Sequence, residues 1–347
     1  MSKLYLPSGY LNWEWIFSKL RVYPYCFIVG GRGTGKTYGL LEYLVEHTLF
    51  FNYMRRLQKQ VDKLKRDEYQ PFKKLNADHE WNIYPITSND AAAFYETDIN
   101  EKGKRIQIGA PLGYMMALST LSNFRGGDIS DIDVSVLDEF IPEKQEHKIQ
   151  SEGSVFLNAI ETIARNRELE GSDPMPMICL ANANDMANPI FLELGIVKIA
   201  QNMKMTGQEL YFNKARGLMI IYMEDSPISK KKKETSLYKL AGEDSDFAKM
   251  AIGNEFIEET SGQIKSMRLA EYSPIVAIGG ICIYRHKSNN TYYVSEHLSG
   301  SIPVLQTSEI DRTRFRRSYI EIWWKHLERK VWFENRLCEI LFIDYYK

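Results

Sequence analysis

The octet Gly30-Gly31-Arg32-Gly33-Thr34-Gly35-Lys36-Thr37 has the GxxxxGK[ST] spacing of a phosphate-binding loop. Glycines let the backbone come close to a polyphosphate, and successive N–H groups opening a helix favour an anion. In that pattern the lysine ammonium, here Lys36, reaches the β- and γ-phosphates, and the following hydroxyl, here Thr37, ligates Mg²⁺. The expected substrate is ATP and the expected cofactor Mg²⁺.

About a hundred residues on, Val134-Ser-Val-Leu-Asp138-Glu139 reads as an apolar strand ending in two carboxylates. A P-loop enzyme places an acid there, at the carboxyl edge of its sheet, beside the metal. Asp138 is the candidate for the metal side, acting through water, and Glu139 for the general base that polarises a water for in-line attack on the γ-phosphate. A base of this kind separates a hydrolase from a kinase, so the expected activity is ATP hydrolysis. A third strand, Ile178-Cys-Leu-Ala-Asn182, ends in an amide that either senses the γ-phosphate or makes a plain turn.

An arginine that offsets transition-state charge speeds such hydrolysis and can come from the same chain or a neighbour. Arg165 and Arg167 end an apolar-faced helix, Arg125 lies in a glycine-containing turn, and Arg32 is inside the phosphate loop. Their types and positions do not choose among them.

The elements that must position these groups are legible as short apolar strands at 25–29, 50–54, 134–137, 177–180 and 218–222, with helices at 154–167 and near 189–194. The alternation predicts a mostly parallel sheet flanked by helices. Two stretches around Asn100-Glu-Lys-Gly103 read as an antiparallel hairpin decorating it. The chain then turns polar and carries Lys230-Lys-Lys-Lys233, a connector composition. Residues 1–205 are assigned to a P-loop ATPase domain, 206–246 to a linker region and 247–347 to a small α+β domain. In that last domain strands at 275–284 and 291–294 flank a turn at 287–290, followed by helices holding Trp323, Trp324 and Trp332.

At 347 residues, two domains are expected. The chain carries 44 Lys and Arg against 45 Asp and Glu, so any nucleic-acid surface must be a local concentration of positive charge. No apolar run suits a membrane span, and the aromatic N-terminal stretch has neither the basic start nor the cleavage site of an export signal. Four scattered cysteines, Cys26, Cys179, Cys282 and Cys338, lack metal or disulfide spacing and read as core in a reducing compartment.

Taken together, Val29 to Thr37, Tyr53-Met-Arg-Arg56, Val136-Leu-Asp-Glu-Phe-Ile141, Ala164-Arg-Asn-Arg-Glu168, Ile178 to Ala183 and Asn188-Pro-Ile-Phe191 resemble the DNA-packaging (encapsidation) ATPases of phi-29-like short-tailed phages, within the additional-strand P-loop motors. The resemblance covers roughly the first 200 residues. It implies a ring of identical subunits, a pentamer, in the host cytoplasm and transiently at the procapsid portal, driving double-stranded DNA into a preformed shell. It implies ATPase sites at subunit boundaries, the capsid portal or connector as partner, a structural RNA as a further one, and no membrane. It also implies Arg165 as the finger acting in trans, Arg125 as a second basic residue reaching the neighbour's nucleotide, and DNA-gripping residues after the second strand, where Arg55, Arg56, Lys59 and Lys63 fall. Phosphate contacts of that kind carry no sequence information.

In related motors the C-terminal domain resembles a ribonuclease-H-type nuclease, whose two-metal chemistry needs converging carboxylates. Here the expected first strand, 275–283, has no Asp or Glu, so a degenerate, nuclease-inactive version is expected. Arg312, Arg314, Arg316 and Arg317 read either as a nucleic-acid or portal contact or as a charged face. Competing functions are a terminase-like ATPase and nuclease, a nucleotide-switched scaffold with little turnover, and a small-molecule kinase.

Overall fold

A computed structural model describes residues 4–88, 91–124, 129–143, 146–182, 188–223, 235–241 and 263–346. The chain forms two compact units, Met1–Ile257 and Glu258–Lys347.

The first unit is built on a nine-stranded sheet. Its strands are β1 (Tyr25–Gly30), β2 (Phe51–Arg55), β3 (Ile83–Ser88), β4 (Ala91–Ile99), β5 (Arg105–Ala117), β6 (Val134–Asp138), β7 (Met177–Ala181), β8 (Leu210–Asn213) and β9 (Leu218–Met223), in the order β3-β4-β5-β2-β6-β7-β1-β9-β8. The six strands from β5 to β9 in that order are parallel, and antiparallel β3, β4 and β8 complete the edges. An extra strand, β7, therefore stands between β1, which leads into the phosphate loop, and β6, which carries Asp138.

Strand alternation divides the core into two layers. Phe27, Val29, Met54 and Leu137 face one side, where α5 (Glu152–Ala164), α6 (Pro189–Glu193) and α7 (Val197–Thr206) pack. Cys26, Ile28, Tyr53 and Val136 face the other, against α1 (Trp13–Leu20), α2 (Lys36–Glu46), α3 (Gln58–Leu64) and α4 (Lys73–His79). Covering both faces explains why the central strands read as unbroken apolar runs. The hairpin around Asn100 is present as β4 and β5, with Gly103 at φ 71° in its turn.

Two expectations about boundaries change. The linker cannot begin at 206, because β8 and β9 belong to the first sheet: all six residues of β9 are buried and pair in parallel with β1. The division between units falls after Ile257. Of the remaining connector, α8 (Ser236–Ala241) is described, and Lys230 to Lys233 lie outside the described residues.

The second unit holds a five-stranded sheet of β10 (Tyr272–Ile278), β11 (Ile281–His286), β12 (Tyr292–Ser295), β13 (Val304–Leu305) and β14 (Val331–Phe333), ordered β13-β10-β11-β12-β14. Helices α9 (Glu309–Ser318), α10 (Ile320–Leu327) and α11 (Arg336–Tyr346) join its core. The run 275–283 is a hairpin rather than one strand, turning at Gly279 (φ 48°) and Gly280 (φ 91°). A Cβ on Gly279 would sit 2.1 Å from the Tyr345 hydroxyl, so a side chain there is excluded. Trp332 lies in β14 instead of a helix, and Trp324 on α10 is 56 % exposed. Among the described residues no helix is long and apolar enough to cross a membrane, and all four cysteines are buried and not joined in disulfides.

Candidate active site

The phosphate loop joins β1 to α2. Gly33 and Gly35 adopt positive φ (64° and 76°), and Gly35 caps α2 with no side-chain hydrogen bond, leaving the helix entrance to backbone N–H groups. Thr34 closes the loop on itself by donating to Gly31 O (3.0 Å). Lys36 is buried, and its ammonium donates to Gly30 O (3.0 Å), Gly31 O (2.7 Å) and Thr34 Oγ1 (3.3 Å). A buried cation held by loop carbonyls suits a group whose anionic ligand binds at the same loop.

Strand β6 delivers Asp138 to this loop across β7. Thr37 Oγ1 donates to Asp138 Oδ2 (3.1 Å), which joins the hydroxyl and the carboxylate that the sequence assigns to the metal. Tyr53, on neighbouring β2, donates to the same oxygen at 2.6 Å. Burial and the Asp138 charge push the Tyr53 phenol well above its usual range, so it stays a donor. Asp138 Oδ1 accepts from Glu139 N (3.0 Å). The donor set of hydroxyl, carboxylate and adjacent loop amides fits Mg²⁺ and a polyphosphate.

Glu139 leaves the strand in a left-handed conformation (φ 57°), which turns its carboxylate along the sheet edge toward Arg55. Arg55 ends β2, level with Asp138; its Nη2 donates to Glu139 Oε2 and its Nη1 lies 3.6 Å from Asp138 Oδ2. Burial raises the Glu139 pKa, Arg55 opposes that rise, and Asp138 adds to it. Burial alone would lower the Arg55 pKa, but Tyr53, Asp138 and Glu139 together hold it above the ordinary value.

Arg55 and Arg56 are thus not positioned as DNA contacts. Arg56 has no exposed side-chain surface and donates from Nε and Nη2 to Glu152 (2.5 and 2.7 Å) and from Nη1 to Glu146 (2.7 Å). Neutralised charge inside the core explains why a basic pair at a strand end reads like a grip in sequence. The exposed basic residues are Lys59 and Lys63, one turn apart on α3, with Lys63 Nζ 5.1 Å from the Tyr69 ring centre.

Arg32 forms an ion pair with Glu143 in the segment after β6. Asn182 is the first residue past β7, whose Ala181 is level with Val29, so it stands on the same rim as the loop. Arg125 lies outside the described residues. Arg165 is exposed at the far end of α5, with φ 47°. That helix starts at Glu152, beside Arg56 at the carboxyl edge, and its 13 residues carry the chain about 20 Å away. At that far end Arg167 Nη1 donates to Ile132 O (2.8 Å), ahead of β6. Arg165 is therefore on the opposite edge from its own Glu139.

The sequence did not single out Tyr53 or point Arg55 at Glu139. Their spacing of two on an apolar strand is the available signal, since it puts both on one face. Their partner becomes visible only once β2 and β6 are known to be neighbours.

The profile of the podovirus DNA encapsidation protein (Gp16) family matches residues 6–303. The DNA packaging proteins of Bacillus phages phi29 and PZA are each 26 % identical over 266 residues, 75 % of this chain and 68 % of theirs. The fold is similar to that in the bacteriophage Phi-29 viral genome packaging motor assembly, with a TM-score of 0.63 over 97 % of this chain and 99 % of that one at 19 % identity. It is likewise similar to the Phi-28 gp11 DNA packaging motor, with a TM-score of 0.61 over 93 % of this chain and 94 % of that one, also at 19 % identity. With most of its length matched and a phosphate loop, a strand-end acid pair and an intervening strand in place, this chain belongs to the podovirus DNA encapsidation protein (Gp16) family.

Proposed function

We propose that this protein is the ATP-hydrolysing subunit of a ring-shaped motor that drives double-stranded DNA into a preformed capsid through its portal. The observation that carries this is the contact between Thr37 and Asp138, with Glu139 directly beside it. In this reading the loop amides and the entrance of α2 hold the phosphates, and Lys36 turns from Gly30 and Gly31 to the β- and γ-oxygens. Thr37 and Asp138 would hold Mg²⁺, which would supply charge neutralisation to the phosphates. Glu139 accepts the proton of the attacking water as the bond between the γ-phosphorus and the ADP oxygen breaks. While Arg55 occupies the Glu139 carboxylate that base is engaged, so turnover requires the pair to open.

Placement of Arg165 about 20 Å of helix from its own site supports a role in a neighbour's site, and hence a ring with shared sites. The exposed pair Lys59 and Lys63 supports phosphate contact with DNA. The phi29 neighbour's description as a motor assembly supports association with a portal. For the second unit we propose a nuclease-inactive, ribonuclease-H-like role in nucleic-acid or portal contact. It does bring Glu296, Glu334 and Cys338 together, but two carboxylates and a buried thiol fall short of a two-metal carboxylate set.

The test is steady-state ATP hydrolysis by wild type and Glu139→Gln, with and without double-stranded DNA, across protein concentration. Turnover that rises with DNA and with concentration and is lost in the variant, by about 10²-fold or more, supports the proposal. Activity independent of Glu139 removes its catalytic role, and activity indifferent to DNA and concentration removes the motor.

A further inference from the structure

The sequence predicts that the helix carrying Arg165 runs to residue 167, but α5 stops at Ala164. No glycine or proline explains the stop: Arg165-Asn-Arg-Glu-Leu-Glu170 contains no helix breaker, and the next glycine is Gly171. Instead the chain reverses on Arg165, whose φ of 47° and ψ of −134° suit the second position of a type II′ turn, where glycine is the favoured residue. Arg167 N closes that turn on Ala164 O (3.3 Å), and Ser172 N donates to Arg167 O (2.9 Å). An arginine stays in such a conformation only where the surrounding contacts fix it.

The side chain of Arg167 supplies such a contact. It is partly buried, and its Nη1 donates to Ile132 O (2.8 Å). Ile132 is wholly buried, and the next residue, Asp133, donates from its N–H to Phe50 O (2.8 Å), so the acceptor is fixed at the entry to β2 and β6. Arg165, two residues before Arg167 on the same turn, is exposed. One guanidinium thus ties the turn to the sheet, and the other stands on the surface. We propose that Arg167 is a positioning residue for the finger: it ends α5 at Ala164 and sets the direction in which Arg165 leaves its subunit. The proposal rests on the reading of Arg165 as a finger acting in a neighbour's site. Without the tie, the helical propensity of residues 165–170 would let α5 run on and carry Arg165 off its aim, and a misplacement of about 1 Å can cost about 10²-fold in rate.

The experiment is ATP hydrolysis by mixed assemblies of the full chain. In the reference mixture, Arg165→Ala subunits supply intact phosphate loops and Lys36→Ala subunits supply intact arginines. Arg167→Met, which keeps the side-chain stem but cannot donate to Ile132 O, is then added to one member at a time. On the Lys36→Ala subunit, which provides the finger, it is expected to lower turnover about tenfold or more. On the Arg165→Ala subunit, which has no finger to position, it is expected to leave turnover at the reference value. A loss as large in the second arrangement as in the first would mean that Arg167 only holds its own subunit together, and would overturn the proposal. So would no loss in the first arrangement, or a loss confined to the second. A reference mixture that stays inactive, while wild-type subunits mixed into either variant remain active, would overturn the finger reading itself and the positioning role with it.

Discussion

The Arg55 guanidinium at the end of β2 donates to Glu139 and lies 3.6 Å from Asp138, so one cation bridges both carboxylates at the end of β6. Asp138 has other partners, Thr37 and Tyr53. Glu139 is half-buried, and its ionisation depends on Arg55 to offset burial and the neighbouring carboxylate.

This dependence sets an expectation for pH. The Glu139 carboxyl titrates above its ordinary value of 4.5, so turnover is expected to fall as pH drops through that raised value. Over the same window the folded chain keeps a proton that the unfolded chain has released, so this group's contribution to stability declines as pH rises. Arg55 is the influence that lowers the pKa, so Arg55→Ala moves the acidic limb of kcat further toward neutrality. A limb that stays put or shifts to lower pH in a kcat–pH profile would show that Glu139 does not set it.

Tyr53 donates to Asp138 from a fully buried position, and Phe replaces it with little change of shape. A hydrogen bond to a charged group contributes about 1.5–3 kcal/mol, so Tyr53→Phe is expected to weaken Mg-ATP about tenfold or more. Affinity for ATP without metal should not change, because the hydrogen bond serves the metal-side carboxylate. Equal losses with and without Mg²⁺ in a binding titration would count against that assignment.

What was legible in the sequence follows from where the information sits. The phosphate loop and its flanking elements are contiguous, and 25–45 shows strand, turn and helix in order. Asp138 and Glu139 stand out because an unbroken apolar run ends in them. The fates of Arg55 and Arg56 were not legible, since both depend on partners 84 to 96 positions away that converge only in the folded sheet. The edge of the first unit was missed for a similar reason: the strand at 218–222 was legible, but polar residues after Met203 hide β8, and only the pairing of β9 with β1 and of β8 with β9 makes both part of the sheet.

Arg56 and its α3 neighbours should separate cleanly in experiment. Truncating one partner of a buried ion pair costs about 3–5 kcal/mol, so Arg56→Ala is expected to lower the melting temperature sharply whatever the ligand. Lys59→Ala with Lys63→Ala should leave melting unchanged and reduce the salt dependence of double-stranded DNA binding by about two counterions. A stable Arg56→Ala, or a double lysine variant with an unaltered salt slope, would reverse these roles.

Arg165 offers a test that distinguishes sites within a subunit from sites shared between subunits. An arginine finger accelerates hydrolysis by about 10³- to 10⁵-fold, so Arg165→Ala alone should be nearly inactive. Lys36→Ala should be inactive as well, because its own phosphate loop lacks the ammonium. Mixed in one assembly, the first variant keeps intact loops and the second keeps intact arginines. Because Arg165 sits at the edge of the sheet opposite its own Glu139, each intact loop can be completed by a Lys36→Ala neighbour. ATP hydrolysis is therefore expected to reappear on mixing and to peak near equal proportions. If the mixture stays as inactive as its components while wild-type subunits mixed into either one remain active, the finger acts within its own chain or lies at another residue.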